Sequence, residues 1–299
     1  MIYLETISLW GIDLPVGYGK VDDCESICAI RRALELGINF FDTADEYGCG
    51  HSERVLGEAL GSQKNQVVIS SKFGFTFDED TREVLDKNAS LAYIRRACEG
   101  SLCRLGRDYL DIYLLHIRDL PYEEAAAARE TLESLVVEGK IRWYGWSTDD
   151  VERARFFAQG MHCAVIEHRL NLLLDVPEML ALCDELDLGS INRIPLLMGV
   201  LTGKYTPDNL PPDDDVRSMF FNHSTFGQDV ARIEQIKGIL AANGRSLAQG
   251  ALLWILSRSS RAVPIPGFRT REQVVQNVAV LSMDTMSEND ISCIKKLLG

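Results

Sequence analysis

Short, mostly apolar runs alternate along this chain with longer stretches whose apolar positions recur at helical spacing. The runs are ISLW (7–10), INFFD (38–42), QVVISSK (66–72), YLDIYLLH (109–116), IRWYGWS (141–147), CAVIE (163–167), SINRIPL (190–196) and AVPIPG (262–267). Near-continuous apolar runs of this kind suit parallel strands covered on both faces. Between them, CESICAIRRALELG (24–37), NASLAYIRRACEGSLCRLG (88–106) and PYEEAAAARETLESLVVEGK (121–140) read as helices with a glycine at or next to the end. SLAQGALLWILS (246–257) and TREQVVQNVAVL (270–281) each open with a hydroxyl residue three positions ahead of a glutamine, Ser246 with Gln249 and Thr270 with Gln273, the spacing of a capping box. SENDISCIKKLLG (287–299) adds a final helix beyond the repeat.

Eight strand–helix units predict an α/β fold, a (β/α)8 TIM barrel with an extra C-terminal helix, in one domain over residues 1–299. A doubly wound sheet is the competing architecture. It would place a G-x-G-x-x-G turn after the first strand, and GYGKVDD (17–23) lacks the third glycine. One connection stands out. The stretch 197–228 after the seventh strand holds three of the nine prolines and an Asp213–Asp215 run, and a loop that long is usually functional.

Composition narrows the functions. The formal charge of −13 repels phosphate backbones and argues against nucleic acid, while a local basic pocket for a phosphorylated cofactor stays possible. The eight cysteines form no C-x-x-C pair and no zinc spacing, so no metal is expected and most read as small core residues of a reducing compartment. The opening MIYLETISLW has no basic n-region or signal core, and no apolar run reaches the length of a membrane span; both point to the cytoplasm.

Barrel enzymes take reactive groups from the C-terminal ends of strands. Here those ends carry Asp42, Lys72, His116, Ser147, Glu167 and Arg193, with Tyr47 just past the second strand. Each has a bland reading: a turn-forming Asp, a packing Tyr, a solvated Lys, a satisfied buried His. Together they make a proton-delivery site. A phenol of pKa about 10 is a poor acid at neutral pH. An ammonium beside it favours the phenolate, a carboxylate behind keeps that ammonium charged and oriented, and a neutral imidazole donates where negative charge grows on a substrate oxygen. Hydride would have to come from a nicotinamide or flavin.

With those residues in view, the chain resembles the aldo-keto reductases over nearly its whole length. The resemblance rests on GINFFDTADEYGCGHSERVLGEAL (37–60), VVISSKFGF (67–75), LCRLGRDYLDIYLLH (102–116), GKIRWYGWST (139–148), PLLMGVLTGKY (195–205) and SLAQGALLWILSRSSRAVPIPGFRTREQVVQN (246–277). It implies Tyr47 as general acid, Asp42 and Lys72 tuning it, and His116 orienting the carbonyl. It implies a cofactor across the barrel mouth, NADPH before NADH. Ser147, Thr148, Glu167 and Arg193 would lie at the nicotinamide. Leu196, Gly199, Leu201, Gly203 and Lys204 would lie over the pyrophosphate. Gly267, Arg269 and Thr270 would lie at the adenosine phosphate, and Gln273 and Asn277 at the adenine. Arg269 is the candidate for the 2′-phosphate, since a guanidinium fork suits it.

Trp10, Phe73 with the loop it begins, the stretch 118–122 and the 197–228 loop are the expected contacts of a small carbonyl substrate. The sequence departs from the family pattern at Thr148, often Asn, at Glu167, often Gln, and at Arg193, often an aromatic. A nucleotide-sensing regulatory or partner-binding protein on the same scaffold is the alternative to a working reductase. A phosphate-handling barrel enzyme without hydride chemistry is the third reading.

Overall fold

A computed structural model describes residues 4–5, 22–212, 215, 217–221 and 225–298. The strands are β1 (Leu4–Glu5), β2 (Phe40–Asp42), β3 (Val68–Phe73), β4 (Phe75–Asp78), β5 (Glu83–Lys87), β6 (Leu110–Leu115), β7 (Ile141–Ser147), β8 (Cys163–Arg169), β9 (Gly189–Arg193) and β10 (Ala262–Pro264). The helices are α1 (Asp23–Glu35), α2 (His51–Leu60), α3 (Leu91–Leu105), α4 (Tyr122–Val137), α5 (Val151–Phe157), α6 (Pro177–Glu185), α7 (Arg217–Phe221), α8 (Phe226–Leu240), α9 (Leu247–Arg258), α10 (Arg271–Val278) and α11 (Glu288–Leu298). Eight strands form one sheet in the order β1-β2-β3-β6-β7-β8-β9-β10, every pair parallel, with helices between successive strands. This is the (β/α)8 barrel expected from the alternation of apolar runs.

The strand that pairs with β2 is Leu4–Glu5. The run 7–10 lies outside the described residues, as does Trp10. The stretch 73–87 is not a loop: β4 and β5 form an antiparallel hairpin on the end of β3. The 197–228 segment is likewise partly built, with a 3-10 turn over Leu197–Thr202 and the short α7. The extra C-terminal helix is α11, packed on α8.

Helix ends follow their capping residues. Asp22 accepts from the Cys24 and Glu25 N–H groups to start α1. Ser90 starts α3 and Gly106, at φ 63°, ends it. Both capping boxes form, Ser246 with Gln249 on α9 and Thr270 with Gln273 on α10. The thiols are all free; Cys49, Cys98 and Cys183 are buried, whereas Cys24, Cys28 and Cys103 are exposed on the outer helices rather than in the core.

The barrel interior explains where chemistry can sit. Phe40, Ile112, Leu114, Val165, Ile191 and Ile265 make an apolar cluster of their own, apart from the larger sheet–helix core. Side chains two apart on a strand share a face. One step further along each strand from that cluster come Asp42, His116, Glu167 and Arg193, all buried. The apolar cluster is a floor, and a polar layer lies directly above it.

Candidate active site

Lys72 and Asp42 stand on neighbouring strands with no exposed surface. The Lys72 ammonium is hydrogen-bonded to Asp42 Oδ2, donates to the Thr43 carbonyl at 3.0 Å, and faces Glu167 Oε2 at 3.3 Å. Burial pushes the Asp42 carboxyl up from its ordinary value; Lys72 pulls it back down, and Glu167 adds to the rise. Tyr47 leans over the same ammonium, with Lys72 Nζ 5.3 Å from the ring centroid. Its ring meets the His116 ring edge-on, centroids 5.9 Å apart. Tyr47 and His116 keep slight exposure, 8% and 6%, whereas Lys72 and Asp42 have none. Burial, then the cations Lys72, Arg118 and Arg193, hold the His116 pKa well below the usual histidine range, leaving a neutral ring.

The loop that carries Tyr47 is tightly made. Gly48, Cys49 and Gly50 all have left-handed backbones, at φ 58°, 53° and 86°. A side chain on Gly50 would also run into Arg104, whose Cδ lies 2.6 Å from where its Cβ would be. Arg104 holds Glu53 at 2.6 Å, and Glu53 accepts from Ser71 at 2.5 Å, tying α2, α3 and β3 together under the loop. Thr43 and Ser52 close it from the other side at 2.7 Å. Beside Tyr47, Glu46 brings its carboxyl to 3.2 Å from His116 Nδ1, a contact that reading along the chain does not suggest.

Around the mouth, Ser147 donates to Glu167 Oε1 at 2.8 Å. Arg193 pairs with Asp149 at 2.7 Å, and Arg169 shares that carboxylate at 2.8 Å. The Thr148 hydroxyl is spent locally: it donates to the Arg118 carbonyl at 3.2 Å and accepts from the Asp150 N–H at 3.3 Å, so it secures a loop rather than offering itself to a ligand. Phe73, expected at the substrate, does not line the mouth. Alternation on β3 turns it to the opposite face from Lys72, where it is fully buried against Tyr113 with ring centroids 4.7 Å apart. Phe75, two residues on in β4, instead reaches the edge of His116 at 6.0 Å between centroids.

Past β9 the backbone is unusual. Ile194, Leu197 and Met198 have positive φ of 56°, 47° and 53°, followed by Gly199 at 97° and Gly203 at 75°. A β-branched residue there is an outlier, and such strain gathers at ligand clamps. Leu196 is half-buried, and the Leu201 side chain belongs to the second apolar core, so only its backbone can face a ligand. Lys204 lies over the Tyr205 ring at 5.2 Å. Further on, Gly267 is exposed, Arg269 and Thr270 are half-buried at the start of α10, and Asn277 is buried. Gln273 Oε1 accepts from the Arg269 N–H at 2.6 Å and from the Thr270 N–H, which makes its side chain first a helix cap.

These residues suit a nicotinamide dinucleotide. The buried Arg193 Nε has no hydrogen-bond partner among the described residues, a donor still to be met at the mouth, while Glu167 Oε2 already faces the Lys72 ammonium. The N-terminus of α10 beside Arg269 suits a phosphate. No group of three or more His, Cys, Asp or Glu among the described residues could hold a metal ion.

Known proteins agree with this architecture. A family model described as Aldo/keto reductase family matches residues 7–298. An NADH-specific methylglyoxal reductase of Escherichia coli (strain K12) is 31% identical over 95% of this chain and 90% of its own. An NADP(+) aldo-keto reductase of Schizosaccharomyces pombe is 28% identical over 89% of this chain and 80% of its own. Among solved structures, a glycerol dehydrogenase from Gluconobacter oxydans superposes with a TM-score of 0.84 at 27% identity, covering 99% of this chain and 90% of the other. An aldo/keto reductase from Klebsiella pneumoniae in complex with NADP and acetate gives 0.72 at 29%, covering 99% and 90%. The chain belongs to the aldo/keto reductase family and is an NAD(P)H-dependent oxidoreductase.

Proposed function

We propose that this protein reduces an aldehyde or ketone to an alcohol with NADPH, and that Tyr47 delivers the proton. The observation that carries the reading is the convergence of Tyr47, Lys72, Asp42 and His116 on one buried layer above the barrel floor. When bound, the reduced nicotinamide supplies the hydride. Everything else falls to the chain. The Tyr47 hydroxyl gives its proton to the substrate oxygen as charge builds there. Lys72, charged and held by Asp42, stabilises the phenolate left behind. His116, neutral, donates to the same oxygen and fixes its position. Ser147, Glu167 and Arg193 would hold the nicotinamide end, the turn 194–203 would hold the pyrophosphate, and Arg269 would hold the 2′-phosphate.

Tyr47→Phe tests this. Turnover of a generic aldehyde with NADPH should fall by about 10²–10⁴-fold while the cofactor Kd stays nearly constant. Undiminished turnover would exclude Tyr47 as the proton donor. Cofactor binding without turnover in the unmodified protein would favour a nucleotide-sensing role instead.

A further inference from the structure

The Glu46 carboxyl has no part in the chemistry above, yet it sits at the centre of it. It precedes Tyr47 in the loop after β2, its side chain is 11% exposed, and Oε1 lies 3.2 Å from His116 Nδ1. That nitrogen is buried and has no hydrogen-bond partner among the described residues. With Nδ1 turned to Glu46, Nε2 is the nitrogen a substrate oxygen can meet. A neutral imidazole carries one N–H, and what one nitrogen faces decides what the other can do. His116 stays neutral, so its tautomer, and not its charge, is free to change.

We propose that Glu46 selects the tautomer of His116, making the ring a donor to a carbonyl oxygen when the carboxyl is protonated and an acceptor for an alcohol hydroxyl when it is ionised. This rests on the reading of His116 as the group that meets the reacting oxygen. With Glu46 protonated, its O–H donates to Nδ1, and Nε2 carries the hydrogen that a carbonyl needs. With Glu46 ionised, Nδ1–H donates to the carboxylate, and Nε2 presents a lone pair. The two states differ by one proton, which leaves to solvent; the imidazole is neutral in both.

The groups around the pair decide where the exchange falls. Burial pushes Glu46 up to about 7, against the pull of Lys72 from β3 and Arg118 from the loop after β6. Arg193 from β9 adds a third cation near His116. Asp42 and Glu167 lie behind Lys72, and Asp45, Tyr47 and Cys49 share the Glu46 loop. Asp42 is also raised by burial, so a test has to separate it from Glu46.

The experiment is a titration of the cofactor-free protein with ¹⁵N-labelled histidine, from about pH 5.5 to about pH 8.5, reading the ring nitrogens of His116. Its resonances are assigned by their loss in His116→Gln. In the unmodified protein the hydrogen should move from Nε2 to Nδ1 with a midpoint near 7. In Glu46→Gln, which has no proton to lose, the tautomer should not change with pH. In parallel, kcat/KM for reduction should fall about tenfold per pH unit above that midpoint, and Glu46→Gln should abolish the fall. One nitrogen protonated throughout would overturn the proposal. So would the same exchange surviving in Glu46→Gln, which would assign it to Asp42. Undiminished turnover in Tyr47→Phe would remove the site reading itself. An inactive Tyr47→Phe with a His116 tautomer indifferent to pH would remove only the role of Glu46.

Discussion

At Lys72 one ammonium serves two carboxylates, Asp42 on one side and Glu167 on the other. An amide at 167 would leave the ammonium to Asp42 and offer a donor to a carboxamide oxygen. Glu167 does neither, and its negative charge favours a cationic, oxidised nicotinamide over the neutral reduced one. Glu167→Gln should therefore tighten NADPH and raise the ratio of the NADP⁺ Kd to the NADPH Kd several-fold, on the order of 1 kcal/mol. Fluorescence titration with both forms measures this, and an unchanged or lowered ratio would refute it. Arg193 does not reverse the argument, because Asp149 offsets its charge at 2.7 Å. At the other end of the cofactor, Arg269→Ala should weaken NADPH by on the order of 10–100-fold and NADH far less. Equal losses would take the phosphate away from Arg269.

Among elements, β7 shows how closely position and packing are bound. Its pairing with β8 shifts register between Tyr144 and Gly145, and a Cβ on Gly145 would lie 2.1 Å from the Val165 carbonyl oxygen. That oxygen is backbone and cannot swing aside. Gly145→Ala should destabilise the protein by roughly 1–3 kcal/mol, read as a lower urea midpoint, and should weaken cofactor binding because Ser147 lies two residues on. A stable variant with native affinity would show that the strands part without consequence.

The same element was fully legible in the sequence: β7 runs over 141–147, as its apolar and aromatic residues indicate. The β4–β5 hairpin was not. FTFD and EVLDK bury little against the core, so no apolar face announces them. Phe73 follows Lys72 in the sequence, yet consecutive residues on a strand face opposite ways. Asp42, Lys72 and His116 were legible as strand ends. Glu46 was not, since its partner His116 lies on a strand distant in sequence and only the fold brings them together.

For the whole molecule, buried carboxyls set the response to pH. Asp42, Asp45 and Glu46 are all raised, burial being the largest cause in each. A raised carboxyl pKa means the folded state holds protons that the unfolded chain releases. Its stabilising contribution is complete below the unfolded value and is lost as pH rises through the folded one. His116 and His168, both lowered by burial, oppose this only as pH falls below their ordinary value of 6.5. The cofactor-free protein should therefore melt a few degrees higher at about pH 6.5 than at about pH 8. Relief of repulsion among surface charges, at a formal −13, acts in the same direction. Salt screens that surface term but not the buried one, so the difference should persist in about 0.5 M NaCl. Melts independent of pH in salt would contradict the buried contribution.

The β4–β5 hairpin touches the buried polar layer only at its root, through Phe75 against His116. It leaves the barrel at Gly74 and returns at Asn88, whose N–H donates to the Gly74 carbonyl at 2.8 Å. Tyr93 of α3 secures its root through the Phe75 carbonyl, and Leu85 and Val84 project outward. Its turn is tied to the Tyr47 loop, since Glu79 pairs with Arg104 at 3.1 Å and Arg104 lies over the Phe77 ring, so the exposed strand β5 is the part open to exchange, with Glu79, Phe77 and Phe75 kept. Selectivity in this scaffold can then be re-aimed from outside the barrel while Tyr47, Lys72, Asp42 and Glu167 stay as they are.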